Sequence, residues 1–137
     1  RKKAEESMQL ASMVYQNSSE AIMVTDADNT IIAVNPAFER TTGYIVDEVI
    51  GKNPRILASG LHDKYFYQAM WDAIKGNGYW QGELWDRNKN GDVYAKFLTI
   101  NTILDEDDSI HRYVALFSDI TEKKKSEELR CRISRLG

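Results

Sequence analysis

Cysteine and histidine are scarce in this chain of 137 residues, which contains one cysteine, Cys131, and two histidines, His62 and His111. A single cysteine excludes an internal disulfide, and the three side chains are too far apart in sequence to match a metal-binding motif. We therefore interpret Cys131 as an inert thiol and both histidines as packing or surface residues. The sequence predicts neither a metal site nor a structural disulfide.

Catalytic motifs and long apolar runs are also lacking. The eight glycines do not fall in the spacing of a phosphate-binding loop, and no serine lies in a nucleophile elbow. No run approaches the ~18 apolar residues of a membrane span. These absences favour a soluble, cytoplasmic, non-catalytic domain. Charged helical sequence at both ends favours a piece of a longer protein, which could itself be attached to a membrane.

The charge is nearly balanced, with 18 basic and 21 acidic residues and a formal net charge of −3. This composition gives no reason to expect nucleic acid as a partner. The length suits one domain with its own core and is too short for two ordinary domains. We expect one domain with helical extensions.

The segment from residue 78 to 121 is predicted to form three antiparallel strands, at about residues 82–87, 93–103 and 112–118. Asn90-Gly91 is predicted to form a tight hairpin turn, because this pair readily adopts positive φ. Alternation places Trp80 and Asp86 on one face of the first strand, among apolar residues. Such an acid must be paired or hydrated. Either it reaches solvent or pairs with a base such as Arg55, or it lines a cavity for a polar ligand.

Earlier segments supply helices and a second hairpin. Residues 2–16 have helical periodicity with an apolar stripe, strands are predicted at residues 21–25 and 31–35, and Asn35-Pro36 begins a short helix. A longer helix is predicted from Asp63 to Lys75, ended by Gly76. At the other end, Asp119 and Glu122 have the spacing of a capping box that begins a last helix.

In this order, the motifs AIMVTDADNTIIAVNPAFERTTGY, GYWQGELWDRNKNGDVY and RYVALFSDIT resemble a PAS domain with its PAC segment. The variant is similar to PAS domains of bacterial sensory proteins that precede diguanylate cyclase and phosphodiesterase domains. The resemblance implies an α+β fold, a five-stranded antiparallel sheet with helices on one face and flanking terminal helices. It divides the chain into a dimerisation helix (1–17), the sensor domain (18–121) and the start of a signalling coiled coil (122–137).

The resemblance also implies a pocket, whose candidate residues are Asn35, Arg55, Trp80, Asp86 and Phe117. Trp80 matches a tryptophan that lies close to the cofactor in members binding flavin adenine dinucleotide (FAD), whereas Asp86 stands where many members have Asn. A light-driven flavin adduct needs a cysteine near the pocket, and Cys131 lies in the last helix. Haem would require a histidine near the longer helix, and His62 is the candidate.

We therefore expect a non-catalytic sensory and dimerisation module whose pocket is empty or takes an unidentified small molecule, and which regulates a cyclic-di-GMP synthesising or degrading domain in the same chain. The alternatives are an FAD redox sensor and a small catalytic domain. The homodimer is expected to form through Met8, Ala11, Val14 and Trp85. Signals are expected to leave through Asp119 and Thr121.

Overall fold

Five antiparallel strands form one sheet in the computed structural model, which describes residues 2–136. The strand order is β2-β1-β5-β4-β3. The elements, in chain order, are α1 (Lys2–Asn17), β1 (Ala21–Asp26), β2 (Ile31–Val34), α2 (Pro36–Thr42), α3 (Val46–Val49), a 3-10 turn (Pro54–Leu57), α4 (Lys64–Asn77), β3 (Tyr79–Arg87), β4 (Val93–Leu104), β5 (Ile110–Asp119) and α5 (Thr121–Leu136).

The two hairpins predicted from the sequence belong to one sheet because β1 pairs with β5, with Ala21 opposite Phe117. This confirms the predicted fold class. The strand β3 begins at Tyr79, earlier than expected, since its ladder with β4 continues to the pair Tyr79 and Asn101. The turn before β4 is wider than the predicted two-residue turn. Only Gly91 of the Asn90-Gly91 pair has positive φ, and the Asn88 N–H donates to the Asp92 carbonyl at 2.9 Å.

The longer helix, α4, continues past Gly76, where the sequence predicted its end, and stops before Gly78. Gly78 has a φ of +83°, and its N–H donates to the Ile74 carbonyl. A C-terminal cap of this kind needs a residue that tolerates the left-handed region. Gly78 meets that requirement, so Gly76 remains an interior helical residue.

The capping box predicted at the start of α5 is absent from the described residues. Asp119 ends β5, and its carboxylate accepts hydrogen bonds from the N–H and hydroxyl of Thr121, at 2.9 and 2.6 Å. Glu122 does not reach back to Asp119 but lies 3.9 Å from Lys125. Asp119, the last residue of β5, therefore holds Thr121, the first residue of the helix, two positions along the chain.

The core lies between the inner face of the sheet and helices α2 and α4, and it includes Phe38, Ile74, Leu98 and Phe117. The terminal helices lie outside it. In α1 the side chains of Met8 and Val14 are 73% and 61% exposed. No helix within residues 2–136 is long and apolar enough to cross a membrane.

Candidate ligand cavity

A cavity of about 260 Å³ lies between the inner face of the sheet, helix α4 and the loop that contains the 3-10 turn. Most of its lining is apolar, including Met23, Met70, Leu84, Leu98 and Ile100. Small-molecule sites are typically apolar cavities with a few well-placed polar groups. The volume is just below the ~300–1,000 Å³ range of drug-sized ligands, so a small molecule fits it best.

The central polar feature is an ion pair between Lys96 Nζ and Asp86 Oδ2, at 2.5 Å, whose side chains are only 4% and 7% exposed. Strand register explains the meeting. Asp86 lies opposite Tyr94 and Lys96 lies opposite Leu84, so the two charged side chains are diagonal neighbours on the inner face. The cavity therefore contains a buried cation and a buried anion side by side.

Burial lowers the pKa of Lys96, and the neighbouring Asp86 carboxylate opposes this shift. The ammonium also lies over the ring of Phe117, 3.8 Å from its centroid, where a cation is attracted to the π face. Two contacts, with Asp86 and with Phe117, therefore favour the charged form of Lys96 in an apolar cavity.

The sequence analysis placed Asp86 correctly on the inner face but left its partner open. Asp86 does not reach solvent, since it is 5% exposed, and its partner is Lys96 instead of Arg55. Arg55 does line the cavity, from the 3-10 turn, and is itself exposed at the surface. Sequence reasoning missed Lys96. Alternation along β4 places Lys96 on the same face as Tyr94 and Leu98, but only the structure shows that this face is the inner one.

Asn35, a predicted pocket residue, instead joins three elements outside the cavity lining. Its Oδ1 accepts from the N–H groups of Ile22 and Phe38, at 2.8 and 3.0 Å. Its Nδ2 donates to the carbonyls of Tyr15 and Glu20. These four hydrogen bonds use the amide fully, so Asn35 links α1, β1 and α2 and has no capacity left for a ligand.

Trp80 and Phe117 also lie outside the lining. A Cβ on Gly82 would stand 2.8 Å from the Trp80 ring, so the missing side chain at Gly82 leaves the space in which the indole lies. The ring of Phe66 in α4 meets Trp80 edge to face at 6.0 Å. Trp80 therefore packs α4 against β3, and Phe117 lies in the core beneath the Lys96 ammonium.

His62 binds the backbone of the edge strand β3 beside the cavity. Its Nε2 accepts the Trp85 N–H at 2.9 Å, and Ser59 Oγ donates to the Trp85 carbonyl at 2.7 Å. A bridge between Ala58 and Asp86 completes the contact. His62 does not line the cavity, and its Nε2 is engaged by the backbone of β3.

Three buried hydroxyls have no hydrogen-bond partner among the described residues, those of Tyr15 in α1, Tyr67 and Tyr94, and the last two lie near Asp86. Tyr67 lines the cavity from α4. Burial raises the pKa of the Tyr67 and Tyr94 phenols, and the negative charge of Asp86 raises both further. Tyr67 therefore faces the cavity close to Asp86, with a hydroxyl free to donate or accept.

The start of α5 is attached to the strand that carries Lys96. The N–H of Ala95 donates to Thr121 Oγ1 at 3.2 Å, and the Ala95 carbonyl accepts the Ile120 N–H at 2.9 Å. An exposed ion pair between Lys124 and Glu83, at 2.7 Å, adds a contact to β3. Two consecutive residues of β4 therefore contact the two features: Ala95 binds the start of α5, and Lys96 lines the cavity.

Comparison with known proteins places the chain in a family. The family model described as "PAS domain" matches residues 19–122. The chain is 35% identical over 108 residues to a nitrogen fixation regulatory protein of Klebsiella oxytoca, covering 79% of this chain and 22% of that protein. It is 31% identical over 94 residues to a blue-light-activated histidine kinase of Brucella anthropi, covering 69% of this chain and 19% of that protein.

Solved structures show the same fold. An RNA-binding light-oxygen-voltage receptor superposes with a TM-score of 0.82 at 23% identity, covering 93% of this chain and 37% of that chain. The PAS domain of a Colwellia psychrerythraea protein superposes with a TM-score of 0.79 at 23% identity, covering 84% and 98%. The chain spans about a fifth of the length of these two curated relatives. Sequence and fold agree that this chain belongs to the PAS domain family of sensory modules.

Proposed function

We propose that this domain senses a small molecule in the cavity and passes the signal through α5 to an output domain, without catalysing a reaction itself. One observation carries the proposal. Lys96 faces the cavity, and the preceding residue, Ala95, binds the start of α5 through both its N–H and its carbonyl. A ligand that moves Lys96 must therefore act on a segment that also holds the helix.

The coupling would work through a few hydrogen bonds. Each is worth roughly 0.5–1.5 kcal/mol, whereas coupling energies between sites typically run ~1–3 kcal/mol. Loss or lengthening of the two Ala95 bonds is thus large enough to change how α5 leaves the sheet. The proposed transmission residues are Asp119 and Thr121, whose side chains are joined by a hydrogen bond of 2.6 Å from the Thr121 hydroxyl to the Asp119 carboxylate.

We propose that the sensing unit is a homodimer of two copies of this chain. Met8, Val14, Leu129 and Ile133 are all more than half exposed, on the two terminal helices, and Ala11 lies on the same face of α1 as Val14. Trp85, 40% exposed, adds an outer-face contact. Amphipathic helices at both ends are typical of coiled-coil pairing, and a second copy covers both apolar faces at once.

We also propose an output domain in the same chain after α5. The sequence motifs favour a diguanylate cyclase or phosphodiesterase domain after α5, which would make cyclic-di-GMP the output. The names of the relatives reported above concern nitrogen-fixation regulation and a light-activated kinase, so they support a signalling output without specifying this one.

A flavin redox sensor is the second candidate function. The apolar walls and the polar groups of Asp86, Lys96 and Tyr67 fit an aromatic ring system with a polar edge. Bound there, flavin would supply reversible redox chemistry, and Lys96 and Asp86 would orient the ring. A cysteine adduct is excluded, since the sole cysteine, Cys131, is exposed on α5.

An absorption spectrum and a native mass spectrum of the purified protein test these alternatives. The sensing proposal predicts a small-molecule mass that binds the wild type and is lost when Lys96→Met and Asp86→Leu are combined. Visible bands in the blue with a flavin mass would establish the second candidate. A small molecule that binds the double variant as well as the wild type would overturn the assignment of the cavity.

A further inference from the structure

The loop of residues 58–62, just before α4, is bound to a single residue of the edge strand β3, Trp85. The Trp85 N–H donates to His62 Nε2 at 2.9 Å, and Ser59 Oγ donates to the Trp85 carbonyl at 2.7 Å. An edge strand normally leaves such backbone groups unpaired. At Trp85 both of them are used by this loop.

The same position along the sheet reaches α5. Trp85 is the direct partner of Ala95 in the ladder of β3 and β4. The Ala95 N–H donates to Thr121 Oγ1, and the Ala95 carbonyl accepts the Ile120 N–H. The loop therefore binds one residue of this pair, and the start of α5 binds the other.

The hydrogen bond from the Trp85 N–H requires a neutral imidazole. A ring nitrogen that accepts a hydrogen bond carries no proton, so the proton of neutral His62 is on Nδ1. A protonated imidazole donates at both nitrogens, and its Nε2–H would face the Trp85 N–H, donor against donor. The ring of Phe66 stacks on His62 with centroids 4.2 Å apart, and an aromatic face attracts a cation. The protonated ring can therefore stay beside α4 while its bond to β3 is lost.

Histidine is the residue type at this contact that ordinarily changes charge between about pH 8 and pH 5. The loop contains no other titratable side chain. The charged or titratable side chains beside the contact, on the two elements that it joins, are Asp63, Lys64 and Tyr67 near the start of α4, and Glu83, Asp86 and Arg87 on β3. Carboxylates ordinarily titrate near pH ~4, and lysine, arginine and tyrosine at about pH 10 or above. Burial and the charge of Asp86 raise the pKa of Tyr67, so its phenol is neutral throughout this range. A proton taken up at this contact between about pH 8 and pH 5 therefore goes to His62.

We propose that residues 58–62 form a pH-dependent latch: neutral His62 holds them on β3, and protonation of His62 releases them. Release frees the backbone groups of Trp85, the partner of the residue that holds the start of α5. Because Ala58 lines the cavity and forms a bridge with Asp86, release also opens the cavity on this side. The pH thus acts on α5 as a second input, beyond the proposed sensing of a small molecule, and needs no ligand.

Amide hydrogen exchange of the isotope-labelled chain, followed by NMR from about pH 8 to about pH 5, tests the latch. Each rate is divided by the rate of an unstructured chain at the same pH, which removes the intrinsic pH dependence of exchange. We expect the protection of the Trp85 N–H to fall at least about tenfold, with smaller falls at Ile120 and Thr121. The Gly43 N–H, which donates to the Glu39 carbonyl at the end of α2, is the internal control and should keep its protection.

Two glutamine variants identify the titrating group, since the chain has only two histidines. His62→Gln cannot take up a proton, so the protection of Trp85 should not change with pH in this variant. His111→Gln removes the other histidine and its pair with Asp105, and should keep the wild-type trend.

The outcomes are distinct. Constant protection of Trp85 in the wild type, or a pH trend that persists in His62→Gln, would overturn the latch. A parallel loss of protection at Gly43 would indicate global unfolding and overturn it as well. A response at Trp85 without one at Ile120 and Thr121 would overturn the coupling to α5. The proposed small-molecule sensing is tested separately, by the ligand mass that the cavity variants lose.

Discussion

Lys96 and Asp119 are direct partners across β4 and β5, so the buried ammonium of the cavity and the carboxylate that holds α5 lie on adjacent strands at the same level of the sheet. Lys96 is paired with Asp86 on its other side. The inner ion pair joins β3 and β4, and the helix cap lies on β5, the next strand of the sheet. This arrangement gives the domain a short physical path from cavity to output helix.

The Lys96–Asp86 pair should be needed as a pair. Lys96→Met leaves a buried carboxylate unpaired and should lower the free energy of unfolding by ~3–5 kcal/mol, whereas adding Asp86→Leu should restore most of it. Urea unfolding measures both. The control is Lys89→Met, which breaks the exposed Lys89–Glu48 pair, also at 2.5 Å, and should lower the free energy of unfolding far less, because solvent screens an exposed pair. A double variant as unstable as the single one would contradict the account.

Tyr94→Phe should stabilise the domain by roughly 1 kcal/mol, because the Tyr94 hydroxyl is buried without a partner among the described residues. Burial raises the pKa of Tyr94, so the native state keeps a proton that the unfolded chain loses near pH ~10. Wild-type stability should therefore fall with pH above that value relative to the variant. Unfolding at pH 8 and pH 11 should show the variant's advantage widening, and an advantage that does not change with pH would contradict the account.

Val14→Asp should convert a dimer of the chain into a monomer, because it places a charge on the exposed apolar face of α1. Light scattering across a concentration series measures the mass. Leu104→Asp is the control, since Leu104 is 51% exposed at the end of β4, outside the proposed interface. A wild type that stays monomeric at high concentration would rule the dimer out.

Asp119→Ala should fold but signal incorrectly. It removes the acceptor of the Thr121 N–H and hydroxyl, at a cost of roughly 1 kcal/mol, or about 3–5 °C in the midpoint of thermal unfolding. Output activity of the intact protein and the melting temperature of the domain are measured together. The control is Asp107→Ala, which removes a carboxylate that accepts the Ser109 N–H in a turn far from α5 and should leave output unchanged. Normal regulated output in Asp119→Ala would limit Asp119 to a structural cap.

The fold could be predicted from the sequence because its signals are local. Alternation in the strands, the Asn35-Pro36 helix start and the polar turns each depend on neighbouring residues. Helix and strand ends were less accurate, as at Gly76 and Tyr79, because capping by Gly78 and pairing with Asn101 depend on the rest of the fold.

The cavity was harder to predict, since its lining depends on which side chains meet across strands. Asp86 and Arg55 line it, but Lys96 was missed because the sequence of β4 is apolar on both faces and does not show which face is inner. The position of Trp80 depends on the absence of a side chain at Gly82. The side-chain amide of Asn35 makes hydrogen bonds to backbone groups that are distant in sequence, such as the Tyr15 carbonyl. A motif indicates such residues without fixing their roles.

Amide hydrogen exchange at Ile120 and Thr121 tests the coupling of cavity and helix most directly. These two N–H groups donate to the Ala95 carbonyl and the Asp119 carboxylate. The account predicts faster exchange at both in the Lys96→Met, Asp86→Leu variant than in the wild type, with unchanged exchange at Asp108, whose N–H donates to Asp105 in the remote β4–β5 turn. Unchanged exchange at Ile120 and Thr121 in a folded double variant would contradict it.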